Sequence, residues 1–182
     1  MRIPFSGLTV IVLLSSQLLL CTGGLAMQIS TSAYEHQGQI PKKYVMPGAG
    51  GENVSVPLSW TGAPADARSF ALSMVDPHPV ANNWIHWLVI NIPGNVSSLE
   101  EGASGTSMPG KSAELTNSFG SPGYGGPQPP KGTGEHPYVT TIYALSVDSL
   151  DLGAKASLDE FKQALEGKVL DQAEVTGVFE QK

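Results

Sequence analysis

Four side chains that could do polar chemistry lie at the ends of apolar runs. Asp76 closes the run Ser69–Val75, SFALSMV, and His86 lies inside Trp84–Ile92, WIHWLVINI. His136 and Tyr138 open a third run, Pro137–Val147, PYVTTIYALSV. A short connection between the first two runs predicts an antiparallel hairpin, which puts Asp76 and His86 at the same end of a sheet. His136 and Tyr138 are two residues apart, so on a strand they share one face. A carboxylate near an imidazole favours the protonated ring, a good phosphate ligand, and a phenol adds an O–H donor. The chemistry expected is recognition of a small anion. The alternative keeps these residues structural: Asp76 caps a turn, His86 is a core histidine bonded to a carbonyl, and Tyr138 is an edge tyrosine.

The stretch Gly120–Tyr138, GSPGYGGPQPPKGTGEHPY, must deliver the last two. Glycine permits positive φ and proline fixes φ, so a loop built from both can turn its N–H groups toward one point as an anion-binding nest. The alternative is a compact Ω-loop without a guest.

The rest of the chain supplies strands. Met27–Ser32 and Val54–Trp60 read as strands, the second at an edge or bulge because of Pro57. Phe70, Leu72 and Met74 alternate onto one face. Trp84–Ile92 is apolar on both faces, as in a covered strand. Tyr34–Val45 reads as loop. Ser157 and Glu160 form a capping box ahead of Leu158, Phe161 and Leu165, with Gly167 as the stop. Lys168–Ala173 reads as a further helical turn and Glu174–Phe179 as a last strand.

Composition narrows the function. The 182 residues, 41% hydrophobic and 14% charged, suffice for one domain with a real core. Residues 1–26 resemble a secretory signal: Arg2, the apolar run Leu8–Leu20 and small residues Gly24 and Ala26 before a cut. That run is about 13 residues, short of the roughly 20 that span a bilayer. The expected product is residues 27–182, periplasmic or secreted, without a transmembrane span; lipid attachment at Cys21 is the lesser alternative. Cys21 is the only cysteine, so a cut after Ala26 leaves none for disulfides, thiol catalysis or zinc. Without Arg2, nine basic residues face sixteen acidic ones, a net charge of −7. Bulk binding to nucleic acid is disfavoured.

Rival chemistries lack their patterns. His78, His86, His136 and Asp76 are suitable metal-ligand types, but no HExxH helix occurs, and no metal or cofactor is expected. There is no G-x-S-x-G elbow, and the glycine spacing before Lys131 is wrong for a P-loop. A non-enzymatic binding protein is the expectation.

Three motifs in order, Asp76-Pro77, Trp84-Ile85-His86-Trp87, and Gly123-Tyr124-Gly125-Gly126-Pro127 through His136-x-Tyr138, resemble the phosphatidylethanolamine-binding protein family. They are most similar to its bacterial, Raf-kinase-inhibitor-like (YbhB/YbcL-type) branch. The likeness runs from about Met27 to Phe179. It implies a mainly β fold: a large antiparallel sheet packed with a smaller second sheet, and few peripheral helices. It also implies a pocket for phosphate, acetate or a phosphoethanolamine head group, with Asp76, His86, His136 and Tyr138 at the ligand and Tyr124, Pro127 and Pro130 at the mouth. Some members restrain kinases or proteases, so a protein partner held at the pocket rim is the alternative function. Three residues depart from the family pattern: His78 replaces a second aspartate, Gln128 a cysteine, and Pro137 an arginine.

Overall fold

The computed structural model describes Met1 and residues 26–182; residues 2–25, which hold most of the expected secretory signal and Cys21, lie outside the described residues. A six-stranded sheet carries the site. Its strands are β2 (Gly38–Gln39), β4 (Ser69–Asp76), β5 (Trp84–Pro93), β7 (Ala113–Glu114), β8 (His136–Leu145) and β9 (Val169–Phe179), in the spatial order β2-β9-β8-β4-β5-β7. All its neighbours are antiparallel except β2 and β9, which run parallel. A three-stranded sheet of β1 (Gln28–Ser30), β3 (Leu58–Thr61) and β6 (Ser98–Leu99) is antiparallel throughout. One helix, α1 (Leu158–Leu165), and two 3-10 turns complete the elements.

Both faces of the large sheet are covered, which is why β5 is apolar on both sides. On one face Leu72, Met74, Trp87 and Val89 pack with Val56, Leu58 and Trp60, so the small sheet closes that core. On the other, Ala71, Leu88, Ile90 and Leu145 pack with Phe161 and Leu165 of α1. Phe161 is fully buried; such a side chain contributes about 1.5–3 kcal/mol by leaving water. The helix starts as expected. Ser157 Oγ accepts from Glu160 N at 3.2 Å, and Glu160 Oε2 accepts from Ser157 N at 2.8 Å.

Three local expectations are corrected. Val54–Trp60 is extended only from Leu58 onward, because Pro57 has no N–H for a ladder; β3 is then the middle strand of its sheet, not an edge. Lys168–Ala173 is not helical: β9 already begins at Val169 and pairs with β8. Within Tyr34–Val45 the chain forms β2, Gly38 opposite Gly177, and a 3-10 turn at Lys42–Tyr44.

Candidate functional site

The hairpin expected between Asp76 and His86 is present: β4 and β5 are antiparallel, with Asp76 opposite Trp84. A register irregularity between Met74 and Val75 loosens the ladder there. On its other side β4 pairs with β8, Val75 opposite Val139. Asp76, His86, His136 and Tyr138 are therefore gathered around the end of β4, and all four are buried.

They form two pairs. His136 Nδ1 lies 2.6 Å from Asp76 Oδ2. The other carboxylate oxygen, Oδ1, accepts from His78 N at 2.9 Å, an Asx turn opening the β4–β5 loop. His136 Nε2 is 2.9 Å from Thr133 Oγ1, which also bonds Pro130 O at 2.7 Å. Thr133 has one hydroxyl proton. It goes to Pro130 O or to His136 Nε2, and in either case the hydrogen on His136 Nδ1 is held by the Asp76 carboxylate.

The second pair is His86 and Tyr138, rings edge to face with centroids 4.9 Å apart. His86 Nδ1 is 2.5 Å from Gly125 O. A carbonyl only accepts, so Nδ1 carries the hydrogen and Nε2 is the nitrogen left for a guest. Burial drives the His86 pKa down to about 4, against the Gly125 bond and the Asp76 charge, which pull it up. His86 is thus neutral at neutral pH, and the expected charging of this ring by Asp76 is corrected: both oxygens of Asp76 are spent on His136 and His78 N. The carbonyl-bonded histidine and the turn-capping aspartate of the structural alternative are both found. Tyr138 is pushed well above the ordinary phenol range, by burial first and the Asp76 charge second, so it stays an O–H donor. Its hydroxyl is buried and has no partner.

Beside His86 and Tyr138 opens a hollow of about 170 Å³. Val80 and Ala81 of the β4–β5 loop, Trp84, Phe119, Gln128, Pro129 and Pro130 form the rest of its wall. At about 30 Å³ per water, it has room for five or six waters, the size of a phosphomonoester head group and not of a whole phospholipid. Of the residues expected at the ligand or mouth, His86, Tyr138 and Pro130 line it. Asp76, His136, Tyr124 and Pro127 do not. Asp76 and His136 stand behind it with their polar atoms engaged. Tyr124 donates its hydroxyl to Tyr44 O at 2.7 Å and packs edge-on against Trp87. Pro127 is buried, its carbonyl accepting from Met46 N at 3.1 Å.

Over Gly123–Gly126 the N–H groups do not converge as an anion-binding nest. Gly123 N donates to Leu115 O, Tyr124 N to Ser104 Oγ, Gly125 N to His86 O, and Gly126 N to Asn53 Oδ1. These donors point to four separate protein acceptors. The loop instead supplies one acceptor, Gly125 O, which sets the His86 tautomer. Its glycines allow close approach: a Cβ on Gly126 would lie 2.1 Å from Tyr44 O.

Phe119 was not singled out from the sequence, and Trp84 was named only within the Trp84–Trp87 motif, not as a wall of the site. Their rings meet edge to face at 5.3 Å, and Phe119 also abuts His86 at 5.7 Å. The available signal was a lone large apolar residue in the polar stretch 116–123. Among the described residues, no group of three His, Cys, Asp or Glu side chains is placed to hold a metal ion, and no helix is long and apolar enough to cross a membrane.

Two stacked sheets, with a histidine and a tyrosine meeting beside a small hollow where three strands end, define a class of β proteins. The model of the phosphatidylethanolamine-binding protein family matches residues 30–180. A UPF0098 protein of Methanothermobacter thermautotrophicus is 39% identical over 154 residues, covering 84% of this chain and 98% of its own length. The UPF0098 protein YbcL of Escherichia coli is 33% identical over 161 residues, 85% and 88% of the two chains. The crystal structure of YbcL, described as a new member of the mammalian PEBP family, superposes with a TM-score of 0.81 over 87% of this chain and all of the other. That of a putative homologue from Chlamydia trachomatis gives 0.75 at 31% identity, covering 86% and 99% of the two chains. The chain belongs to the phosphatidylethanolamine-binding protein family, in its YbhB/YbcL-type branch.

Proposed function

We propose that this protein is exported, turns over no substrate, and binds the phosphate end of a small phosphomonoester, such as a phosphoethanolamine head group, in the His86–Tyr138 hollow. The observation that carries the reading is the Tyr138 hydroxyl, a buried donor without a partner on a residue that lines that hollow. Native structures rarely leave such a group unpaired. Neutral His86 offers an acceptor at Nε2 and Tyr138 a donor. One P–OH and one P–O⁻ of a monoprotonated phosphate match that pair. The apolar wall of Val80, Trp84, Phe119 and prolines strengthens both bonds by excluding water.

Calorimetry with phosphoethanolamine tests it. The expected result is saturable binding that Tyr138→Phe weakens at least tenfold while the circular dichroism spectrum is unchanged. No heat with the unaltered protein, or equal affinity in the variant, removes the reading.

A regulator of a partner protein is the second reading. It is favoured by Trp84 and Val80, which are 38% and 56% exposed at the rim. Specific capture of one periplasmic or secreted protein, lost in a Val80→Asp, Trp84→Ser variant, would support it over the small-ligand function.

A further inference from the structure

The start of the described segment 26–182 carries a site that the hollow does not use. Ala26 is exposed, whereas Met27 is 5% exposed and belongs to the core shared by both sheets. The Met27 nitrogen donates to Asp171 Oδ2 at 3.1 Å. Asp171 lies on β9 and is half-buried. Its other oxygen, Oδ1, accepts from Gln172 N at 2.8 Å, which orients the carboxylate. Strand β1 begins at the next residue, Gln28. The boundary between solvent and core thus falls on the Ala26–Met27 peptide bond. That same bond follows the small residues Gly24 and Ala26.

We infer that this bond is the processing site and that Asp171 receives the α-ammonium group the cut creates at Met27. The inference rests on the export reading. Hydrolysis adds one water across the bond: its oxygen completes the Ala26 carboxylate, and both its hydrogens end on the Met27 nitrogen, which becomes an ammonium. A neutral amide donor then becomes a charged one without any movement of the backbone. Charge-assisted hydrogen bonds are roughly twice as strong as neutral ones. The cut therefore tightens the attachment of β1 to β9 and couples release of the leader to completion of the fold. Uncut, the same nitrogen makes only the amide bond.

Two measurements decide it. The first compares protein that starts at Met27 with protein that keeps Gly24-Leu25-Ala26 ahead of it, each with Asp171 and with Asp171→Asn. Urea unfolding at pH 6.5 keeps the amine charged, because an ordinary α-amino pKa is about 7.7–8.0. The Met27 start is expected to lower the unfolding equilibrium constant about fivefold, and only when Asp171 is present. Equal stability, or a gain that survives Asp171→Asn, overturns the ion pair. The second is N-terminal sequencing of protein made from Met1 and recovered outside the cytoplasm. Met27 at the first cycle is expected; export with a different first residue overturns the processing site alone. A chain kept in the cytoplasm with its leader intact sinks the export reading and the processing site with it, while the urea comparison still decides the Asp171 contact.

Discussion

His78 lies face-on against His136, the two rings 3.8 Å apart and inclined at 25°. Asp76 ties both together, holding His136 Nδ1 on one oxygen and His78 N on the other. The loop carrying Val80 and Ala81 into the hollow is thereby pinned to the buried pair. An aspartate at position 78 would add a second carboxylate beside Asp76. A histidine there offers a ring to stack instead.

The buried pair makes a stability prediction. Asp76→Asn keeps the shape but removes the charge opposite His136, and breaking a buried pair from one side costs about 3–5 kcal/mol. Thr133→Val leaves His136 Nε2 unpaired and costs about 1–3 kcal/mol. Urea unfolding measures both. A loss below about 1 kcal/mol in Asp76→Asn would show that the pair is not ionised.

Acid should destabilise the protein through His86. Its folded pKa, about 4, lies below the ordinary 6.5. Between those values the unfolded chain binds more protons, so falling pH favours unfolding. The contribution is complete above pH 6.5 and is lost on the way down to about pH 4, at most about 3 kcal/mol. His86→Gln should flatten the pH dependence of urea unfolding in that window. An unchanged slope in the variant assigns the acid sensitivity to other groups.

Ligand binding should take up one proton at alkaline pH. With His86 neutral, the guest must bring the hydrogen shared with Nε2. A phosphomonoester with its second pKa near about 6 then binds evenly below that pH and roughly tenfold more weakly per unit above it. Calorimetry at pH 8 in two buffers of different ionisation enthalpy counts the proton directly. Affinity that stays level from pH 6 to 8 would exclude Nε2 as the acceptor.

The glycine loop should tolerate no side chain at 126. Gly126→Ala forces a Cβ to within 2.1 Å of Tyr44 O and 2.9 Å of Val45 Cα, and both are backbone atoms. The loop must shift, carrying Gly125 O away from His86 Nδ1. A loss of several kcal/mol and a raised His86 pKa by NMR titration are expected, because the displaced loop admits water. A variant with wild-type stability and His86 titration would mean that the loop does not set the ring.

Patterning exposed the strands that bury two faces or one. Phe70, Leu72 and Met74 alternate as expected into the core under the small sheet, and the Ser157 box starts α1 where the spacing put it. The first half of β9 was hidden because Lys168–Ala173 is largely exposed and rich in helix-tolerant residues; its pairing with Ile142–Leu145 overrides local preference. At the site, residue types placed Asp76, His86, His136 and Tyr138 near one another. Alternation specifies a face but not which atoms pair across it. The Asp76–His136 bond spans 60 positions and the His86–Gly125 bond 39, so which histidine stays neutral was not legible.

The parallel contact of β2 with β9, Gly38 beside Gly177 and Gln39 beside Val178, stitches a segment from early in the chain to its last strand. Trimming by an exopeptidase from the tail past Val178 would therefore unfasten residues near the head, and the reverse holds too.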